Sequence, residues 1–365
     1  MLVNNKNFCS IWSKNKQVFI IDQTVLPHKF KIIELLTIND FKNAIKDMKV
    51  RGAPLIGITA IYGVAKSMQK DDSMKSLRQT INILQGTRPT AVNLFWGLKK
   101  IETILKNTNK SERAKVAFEY ADYLAKRDTE INENIGIHGS KILTEIAERN
   151  KSSSINLMTH CNAGWLATVD WGTALAPVFK SSEEGLDIHM YVSETRPRNQ
   201  GASLTAWELK NQGIQYSVIA DNASGYLLQE GLVDAVIVGA DRITSTGDAC
   251  NKIGTYLKAL ACNDNNIPFY VAAPTSTIDW DEKNAGKSIK IEHRDQSEVL
   301  TIAGLNSRGK LEKKLALTPL GSKAANPAFD VSPSALVTKI ITEFGAFAPN
   351  KKNLLALKKL SDKHD

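Results

Sequence analysis

A thiol, a carboxylate and a small set of basic and amide side chains stand where the chain could do chemistry. Cys161 follows the apolar run "INLM" in "INLMTHCNAGWLA", and Asp241 follows another in "DAVIVGADRI". A free cysteine just past a strand is either a small buried hydrophobe or a thiolate acting as base or nucleophile. The second role needs a pKa pulled below about 8.5 by a helix N-terminus or a nearby cation, and "NAGW" could open such a helix. Asp241 reads either as a capping or ribose-binding carboxylate or as a general acid or base. In a partly desolvated cleft such a carboxyl can hand on a proton near neutral pH.

The remaining candidates suit an anionic, hydroxyl-bearing molecule. Arg51 in "VRGAPLIG" stands beside Gly52 and Ala53. Exposed amides at a helix start next to a guanidinium make a phosphate seat; the plainer reading is a surface arginine at a turn. Arg88 in "GTRPT" has the same two readings, with Pro89 favouring an ordered turn. Asn251 and Lys252 are expected to open a helix after "GDAC", as a cap and a solvated lysine or as substrate contacts. Glu194, Arg196 and Arg198 either pair with one another or face a ligand. Gln200 can both donate to and accept from sugar hydroxyls.

These residues share a position relative to the elements that carry them. From the polar stretch "KSSS" at 151–154 onward, the apolar runs "INLM", "IHMYV", "YSVIA", "DAVIVGA" and "PFYVAA" recur, separated by helical stretches at 203–212, 224–230 and 251–262. Short β-rich runs alternating with helical segments predict βαβ units and a parallel sheet. In open α/β sheets ligands bind outside the carboxyl ends of the strands, which is where Cys161, Gln200 and Asp241 fall. No G-x-G-x-x-G follows any of these runs and no G-x-x-x-x-G-K-[ST] is present, so neither a dinucleotide nor a P-loop nucleotide is indicated.

Upstream the pattern is helical. "SIWS" and "QVFIIDQT" predict a small β-hairpin. Asn39 or Asp40 is expected to cap a helix bearing Phe41, Ala44, Ile45 and Met48 on its apolar face. Further helices are expected over 90–106 and 111–150. The fold class is therefore α/β: a mostly helical N-terminal domain with a small β-hairpin over 1–150, a Rossmann-like parallel-sheet catalytic domain over 151–348, and a basic C-terminal tail over 349–365.

With 365 residues, 42% of them hydrophobic, the chain can bury a sizeable core. The net charge of +9 is spread along the sequence. No basic run is interleaved with aromatics, so nucleic acid is not an expected partner; a phosphate-bearing substrate could use a little of the excess. Cys9, Cys161, Cys250 and Cys262 form no C-x-x-C and no repeated metal-ligand spacing. His160 and Cys161, as strand neighbours, point to opposite faces and suit no shared metal. The N-terminus lacks an apolar targeting core and no run approaches the ~20 residues of a membrane span. A reduced, cytoplasmic location without membrane association is expected.

Six segments in order, "VRGAPLIGITAIYG", "RPTAVNLFWGL", "THCNAG", "ETRPRNQGASLTAWEL", "VDAVIVGADRITSTGDACNKIGTY" and "NPAFDVSP", resemble the methylthioribose-1-phosphate isomerase family. The likeness spans about residues 10 to 345. It implies an aldose–ketose isomerase of methionine salvage that takes 5-methylthioribose 1-phosphate to 5-methylthioribulose 1-phosphate. It also implies no metal or organic cofactor and a homodimer. The family's catalytic pair falls on Cys161 and Asp241, and its substrate contacts fall on Arg51, Gly52, Ala53, Arg88, Gln200, Asn251 and Lys252. The anomeric oxygen of such a substrate carries phosphate, so the ring cannot open as a free sugar does. An acid must protonate the ring oxygen and a hydrogen must pass from C2 to C1, as a proton through Cys161 or as a direct hydride shift.

Three departures stand out: "GTRPT" where the family commonly has Ser-Arg-Pro-Thr, Ser193 where an acidic residue often stands, and "DNASGYLL" in place of a more Ala- and His-rich helix. The last two lie near strand ends, which keeps 5-deoxyribose 1-phosphate in view as a substrate. Ribose 1,5-bisphosphate would need basic contacts for a second phosphate, and the sequence shows no obvious surplus. A non-catalytic regulatory relative, like the subunits of the exchange factor of translation initiation, is not expected to keep both Cys161 and Asp241 in their motifs.

Overall fold

Alternating apolar residues near the start pair into antiparallel strands β1 (Ile11–Lys14), β2 (Gln17–Ile21) and β3 (Ile32–Leu35). The expected hairpin gains a third strand because β3 runs antiparallel along β2 from Val18↔Leu35 to Ile21↔Ile32. Helix α1 (Ile38–Lys46) starts earlier than expected. Thr37 is its cap, and its hydroxyl accepts from the Asp40 amide while the Asp40 carboxylate accepts from the Thr37 amide. Met48 lies beyond the helix end in a left-handed conformation (φ 58°) rather than on the apolar stripe. The computed structural model describes residues 1–88, 92–281 and 289–364. Pro89 and the first residues of the helix expected from 90 lie outside them.

Helix α2 (Ala53–Lys70) is apolar almost all round and is buried from Leu55 to Ala65, as a helix at the centre of a bundle must be. Around it pack α1, α3 (Met74–Gln85), α4 (Val92–Lys106) and the first half of α5 (Arg113–Arg149). The second half of α5, with Ile135, Ile142, Leu143 and Ile146, belongs to a different core. There it meets Ile155, Leu157 and Ile188 of the main sheet.

That sheet is built from β4 (Ser154–Thr159), α6 (Ala176–Glu183), β5 (Asp187–Ser193), a π-helical turn at Gly201–Thr205 leading into α7 (Ala206–Asn211), β6 (Gln215–Ile219), α8 (Ala223–Gln229) and β7 (Ala235–Val238). A small lateral layer follows with β8 (Arg242–Thr244) and β9 (Ala249–Lys252), before α9 (Thr255–Asp264), β10 (Phe269–Ala272) and β11 (Ile278–Asp279). An outlying hairpin, β12 (Thr301–Leu305) and β13 (Leu311–Ala316), precedes β14 (Phe329–Ser332), β15 (Lys339–Thr342) and β16 (Gly345–Phe347).

The large sheet runs β16-β15-β10-β7-β4-β5-β6, parallel except for β16. Counted along the chain, its parallel strands lie in the order 3-2-1-4-5-6, the doubly wound arrangement. The second sheet runs β11-β8-β9-β14. Asn251 and Lys252 therefore end a strand instead of opening a helix, because they pair with Asp330 and Phe329, far along the chain. Helix α9 begins only after Gly254.

The stretch 349–365, expected as a basic tail, forms helix α10 (Lys351–His364). Asn350 caps it through the Asn353 amide, and Leu354 and Leu357 are fully buried against the sheet while most of its lysines stay in solvent. Among the described residues, no helix is long and apolar enough to cross a membrane.

Candidate active site

The strand order reverses between β4 and β7, which are direct neighbours through Leu157↔Ala235 and Met158↔Val236. Their carboxyl ends deliver Cys161 and Asp241 to one cavity of about 260 Å³. Arg51, Gly52, Ala53, Arg88, Gln200 and Lys252 line the same cavity. Asn251 does not line it: the side chain is buried and donates to the Thr255 hydroxyl at 3.1 Å, joining β9 to α9.

Cys161 is held in a left-handed backbone conformation (φ 66°), which costs about 1–3 kcal/mol and persists only where the surroundings over-determine it. Its amide donates to the Thr195 hydroxyl at 2.8 Å, and its carbonyl accepts from the Thr205 hydroxyl at 2.7 Å. The expected helix after it is a single 3₁₀ turn, Trp165–Ala167, whose first amides are already taken by Glu208. The cation that faces Cys161 is instead Lys252. Burial pushes the Lys252 ammonium down from its usual range, and the nearby Cys161 and Asp241 side chains work against that shift. Its Nζ donates to the Ala328 carbonyl at 3.1 Å and lies 4.5 Å over the Phe329 ring. His160 lies past the strand end and does not line the cavity. Its Nε2 lies 2.8 Å from the Ile253 carbonyl, which only accepts, so Nε2 carries the proton. Burial drives its pKa down, so the ring is neutral.

Asp241 opens from the strand end into the cavity, exposed, its amide donating to the Cys250 carbonyl at 2.9 Å. Two buried polar atoms on the cavity wall, Arg88 Nη1 and Gln200 Oε1, have no hydrogen-bond partner among the described residues. Buried polar groups are rarely left so, and a ligand with both acceptors and donors would satisfy the pair. Burial, with Arg294 close by, lowers the pKa of Arg88; an anion in the cavity would offset both effects. Gly52 precedes α2 at φ 97°, and a Cβ there would come within 2.2 Å of the Ala167 carbonyl oxygen. The loop that carries Arg51 can lie against the Cys161 loop only with glycine at this place.

Several wall residues carry no sequence signal. Lys290, Glu292 and Arg294 arrive from a stretch without a recognisable motif, and Met48, Ile56, Ile289, Ile291 and Phe329 add apolar surface. Of these, Ile56 stands within "VRGAPLIGITAIYG" and Phe329 within "NPAFDVSP". Arg242, Lys290 and Arg294 make the cavity more basic than the sequence reading allowed. Two of them are already matched: Arg294 pairs with Glu292 at 2.9 Å and Arg242 with Asp279 at 3.7 Å. The expected pairing among Glu194, Arg196 and Arg198 is not formed by the arginines. Arg196 donates to the Pro197 and Val299 carbonyls at 2.8 Å, and Arg198 pairs with Glu298 at 2.8 Å, because the segment around 298 packs over their loop. Among the described residues, no group of three or more His, Cys, Asp or Glu side chains is placed to hold a metal ion.

A doubly wound sheet with a thiol and a carboxylate at its switch point, beneath a helical N-terminal bundle, defines a class. Residues 49–349 match the initiation factor 2 subunit family, and the chain belongs to that family. Within it, the chain is 49% identical over 360 residues to the methylthioribose-1-phosphate isomerase of Brucella anthropi, covering 98% of this chain and 99% of that one. It is 50% identical over 357 residues to the enzyme of the same name from Cereibacter sphaeroides, covering 98% of each. The resemblance carried by the six motifs thus extends over nearly the whole chain. Among solved structures, the 5-methylthioribose 1-phosphate isomerase of Pyrococcus horikoshii matches with a TM-score of 0.84 at 38% identity over 97% of both chains. The translation initiation factor eIF-2B, subunit delta, from A. fulgidus matches with a TM-score of 0.80, also at 38% identity, over 96% of this chain and 100% of that one.

Proposed function

We propose that this protein is an aldose–ketose isomerase that converts 5-methylthioribose 1-phosphate to 5-methylthioribulose 1-phosphate, with Cys161 and Asp241 as its catalytic pair. The observation that carries this reading is the meeting of Cys161 and Asp241 at the switch point, in a basic cavity whose wall holds Arg88 and Gln200 atoms without a partner among the described residues. The solved relatives bear two different names at equal identity, so the residues of the site weigh more here than overall similarity.

In this reading Arg51, Arg88 and Lys252 bind and neutralise the phosphate, and Gln200 meets the sugar hydroxyls. Asp241 acts as the general acid at the ring oxygen as the C1–O bond breaks. The C2 hydrogen then moves to C1, and the 2-hydroxyl proton passes to the Asp241 carboxylate as the C2 carbonyl forms, so the acid is restored and substrate and product are isomers. Cys161, beside the Lys252 ammonium, works at the C1–C2 edge. It carries the hydrogen as a proton through its thiolate, or it stabilises the transition state of a direct hydride shift. Solvent deuterium at C1 of the product reports the first path and full retention of the C2 hydrogen the second. Met48, Ile56, Ile289 and Ile291 give the sugar's 5-methylthio group an apolar wall. Asn251 acts from behind the wall by joining β9 to α9.

The test is turnover of 5-methylthioribose, 5-deoxyribose and ribose-5-phosphate 1-phosphates by the purified chain. The 5-methylthio compound is expected to give the highest kcat/KM. A preference for either of the others would move the substrate assignment, and no turnover of any of them would remove it.

Two further parts of the reading concern the whole protein. The four cysteines are free thiols, which supports a reducing cytoplasmic location. A homodimer is supported by an exposed apolar face where α8 and α9 pack side by side. Tyr226 and Leu257 there are 62% and 68% exposed, with Leu232 and Leu260 beside them. Large apolar side chains left exposed on neighbouring helices suit an interface, and a two-fold axis would set them against their own copy.

A further inference from the structure

Beneath the Cys161 loop lies a carboxylate that the mechanism does not use. Glu208, on α7, is fully buried and forms no ion pair among the described residues. Its Oε1 accepts from Asn162 Nδ2 at 2.8 Å and from the Leu166 amide at 3.1 Å, and its Oε2 accepts from the Trp165 amide at 3.0 Å. The chain pays for this placement at Gly164, where a Cβ would fall 1.7 Å from Glu208 Oε2. On its other side Asn162 faces Arg51: its Oδ1 accepts from Arg51 Nη1, and its carbonyl accepts from Arg51 Nη2 at 2.6 Å.

The chemistry of the three groups fixes their order. An ionised carboxylate only accepts and a guanidinium only donates. An asparagine amide between them satisfies both in one orientation, with its nitrogen toward Glu208 and its oxygen toward Arg51. The chain Glu208–Asn162–Arg51 is thus polarised from buried anion to cavity cation, and such hydrogen bonds reinforce one another where the local dielectric is low. We propose that Glu208 is a positioning residue for the substrate phosphate: acting through Asn162, it aims the Arg51 guanidinium into the cavity. Burial raises the Glu208 carboxyl to about 7, and the hydrogen bonds from Asn162 and the Leu166 amide, with the Arg51 charge, oppose that rise.

The inference rests on the isomerase reading for its kinetic assay. Binding of inorganic phosphate, measured by titration calorimetry, tests it independently. Asn162→Ala cuts the link and leaves Glu208 bonded to Trp165 and Leu166, so it keeps the loop folded if Glu208→Gln does not. Both variants are expected to raise KM for the sugar phosphate, and Kd for inorganic phosphate, by roughly 10- to 100-fold, the usual worth of a hydrogen bond to a charged group. In both, kcat is expected to change much less. In an Arg51→Met background, Asn162→Ala is expected to add nothing further, since the pair acts as a unit. If the effects of Asn162→Ala and Arg51→Met multiply, or if the loss falls on kcat while phosphate binding is unchanged, Glu208 only supports the loop and the proposal fails. Absence of turnover in the wild-type chain would sink the isomerase reading instead, and the calorimetric cycle would still decide this one.

Discussion

At the scale of the residue, the site depends on two side chains that chain position alone could not separate from packing. Cys161 is almost fully buried, as a structural cysteine would be. What distinguishes it is the left-handed backbone held by Thr195 and Thr205, and a buried lysine that faces it. Asp241 opens from a strand end into a cavity walled by cations. Removing a positioned acid or base costs ~10²–10⁴ in rate. Cys161→Ala and Asp241→Asn are each expected to lose at least that much in kcat while circular dichroism and melting temperature stay near wild type. Near-normal turnover by either variant would overturn the catalytic assignment. At this scale the sequence was informative because motifs and strand ends coincide. It was uninformative for Glu208, whose significance lies in burial and in bonds to residues 162, 165 and 166.

At the scale of the element, α5 is the longest lever in the molecule, and Asp128 ties it to the site's rear. That carboxylate is buried and accepts from the Val169 amide at 2.7 Å, on the loop that follows Cys161. Burial raises its carboxyl to about 7, against about 4 in an unfolded chain. The folded state therefore binds this proton more tightly. The stabilisation is full below about pH 4 and is lost as pH rises through 7. Asp128→Asn keeps an acceptor for Val169 and removes the titration. The difference in melting temperature, variant minus wild type, is expected to grow in favour of the variant between pH 5 and pH 8. A flat difference over that range would contradict the burial argument. The extents of α5 and α8 were legible from the sequence because periodicity is local; the reassignment of Asn251 and Lys252 to a strand was not, since β14 lies far along the chain.

At the scale of the whole molecule, the active cavity takes residues from both regions: Met48, Arg51 and Arg88 from the helical part and Cys161, Gln200, Asp241 and Lys252 from the sheet. The bundle and the sheet must therefore hold a fixed relation for the site to exist, and α5, with one half in each core, supplies that continuity. The proposed dimer face lies on α8 and α9, away from these lining residues. Leu257→Asp is expected to yield a monomer in analytical ultracentrifugation, because a carboxylate cannot be desolvated at an apolar interface without a partner. A dimer that survives this change would place the interface elsewhere.

The sequence by itself determined the class of the fold, since alternation of apolar runs with helical stretches dictates a parallel sheet. It also determined which residues could act, since chemistry resides in side-chain types and motifs keep their order. Tertiary structure decided which of them meet. Strand order placed β4 against β7 and so brought Cys161 to Asp241. Antiparallel pairing with β14 turned Asn251 away and set Lys252 over Phe329, and packing of α7 under the Cys161 loop linked buried Glu208 through Asn162 to Arg51 at the cavity wall. Each of these depends on contacts between segments far apart in the chain, and local periodicity carries no record of them.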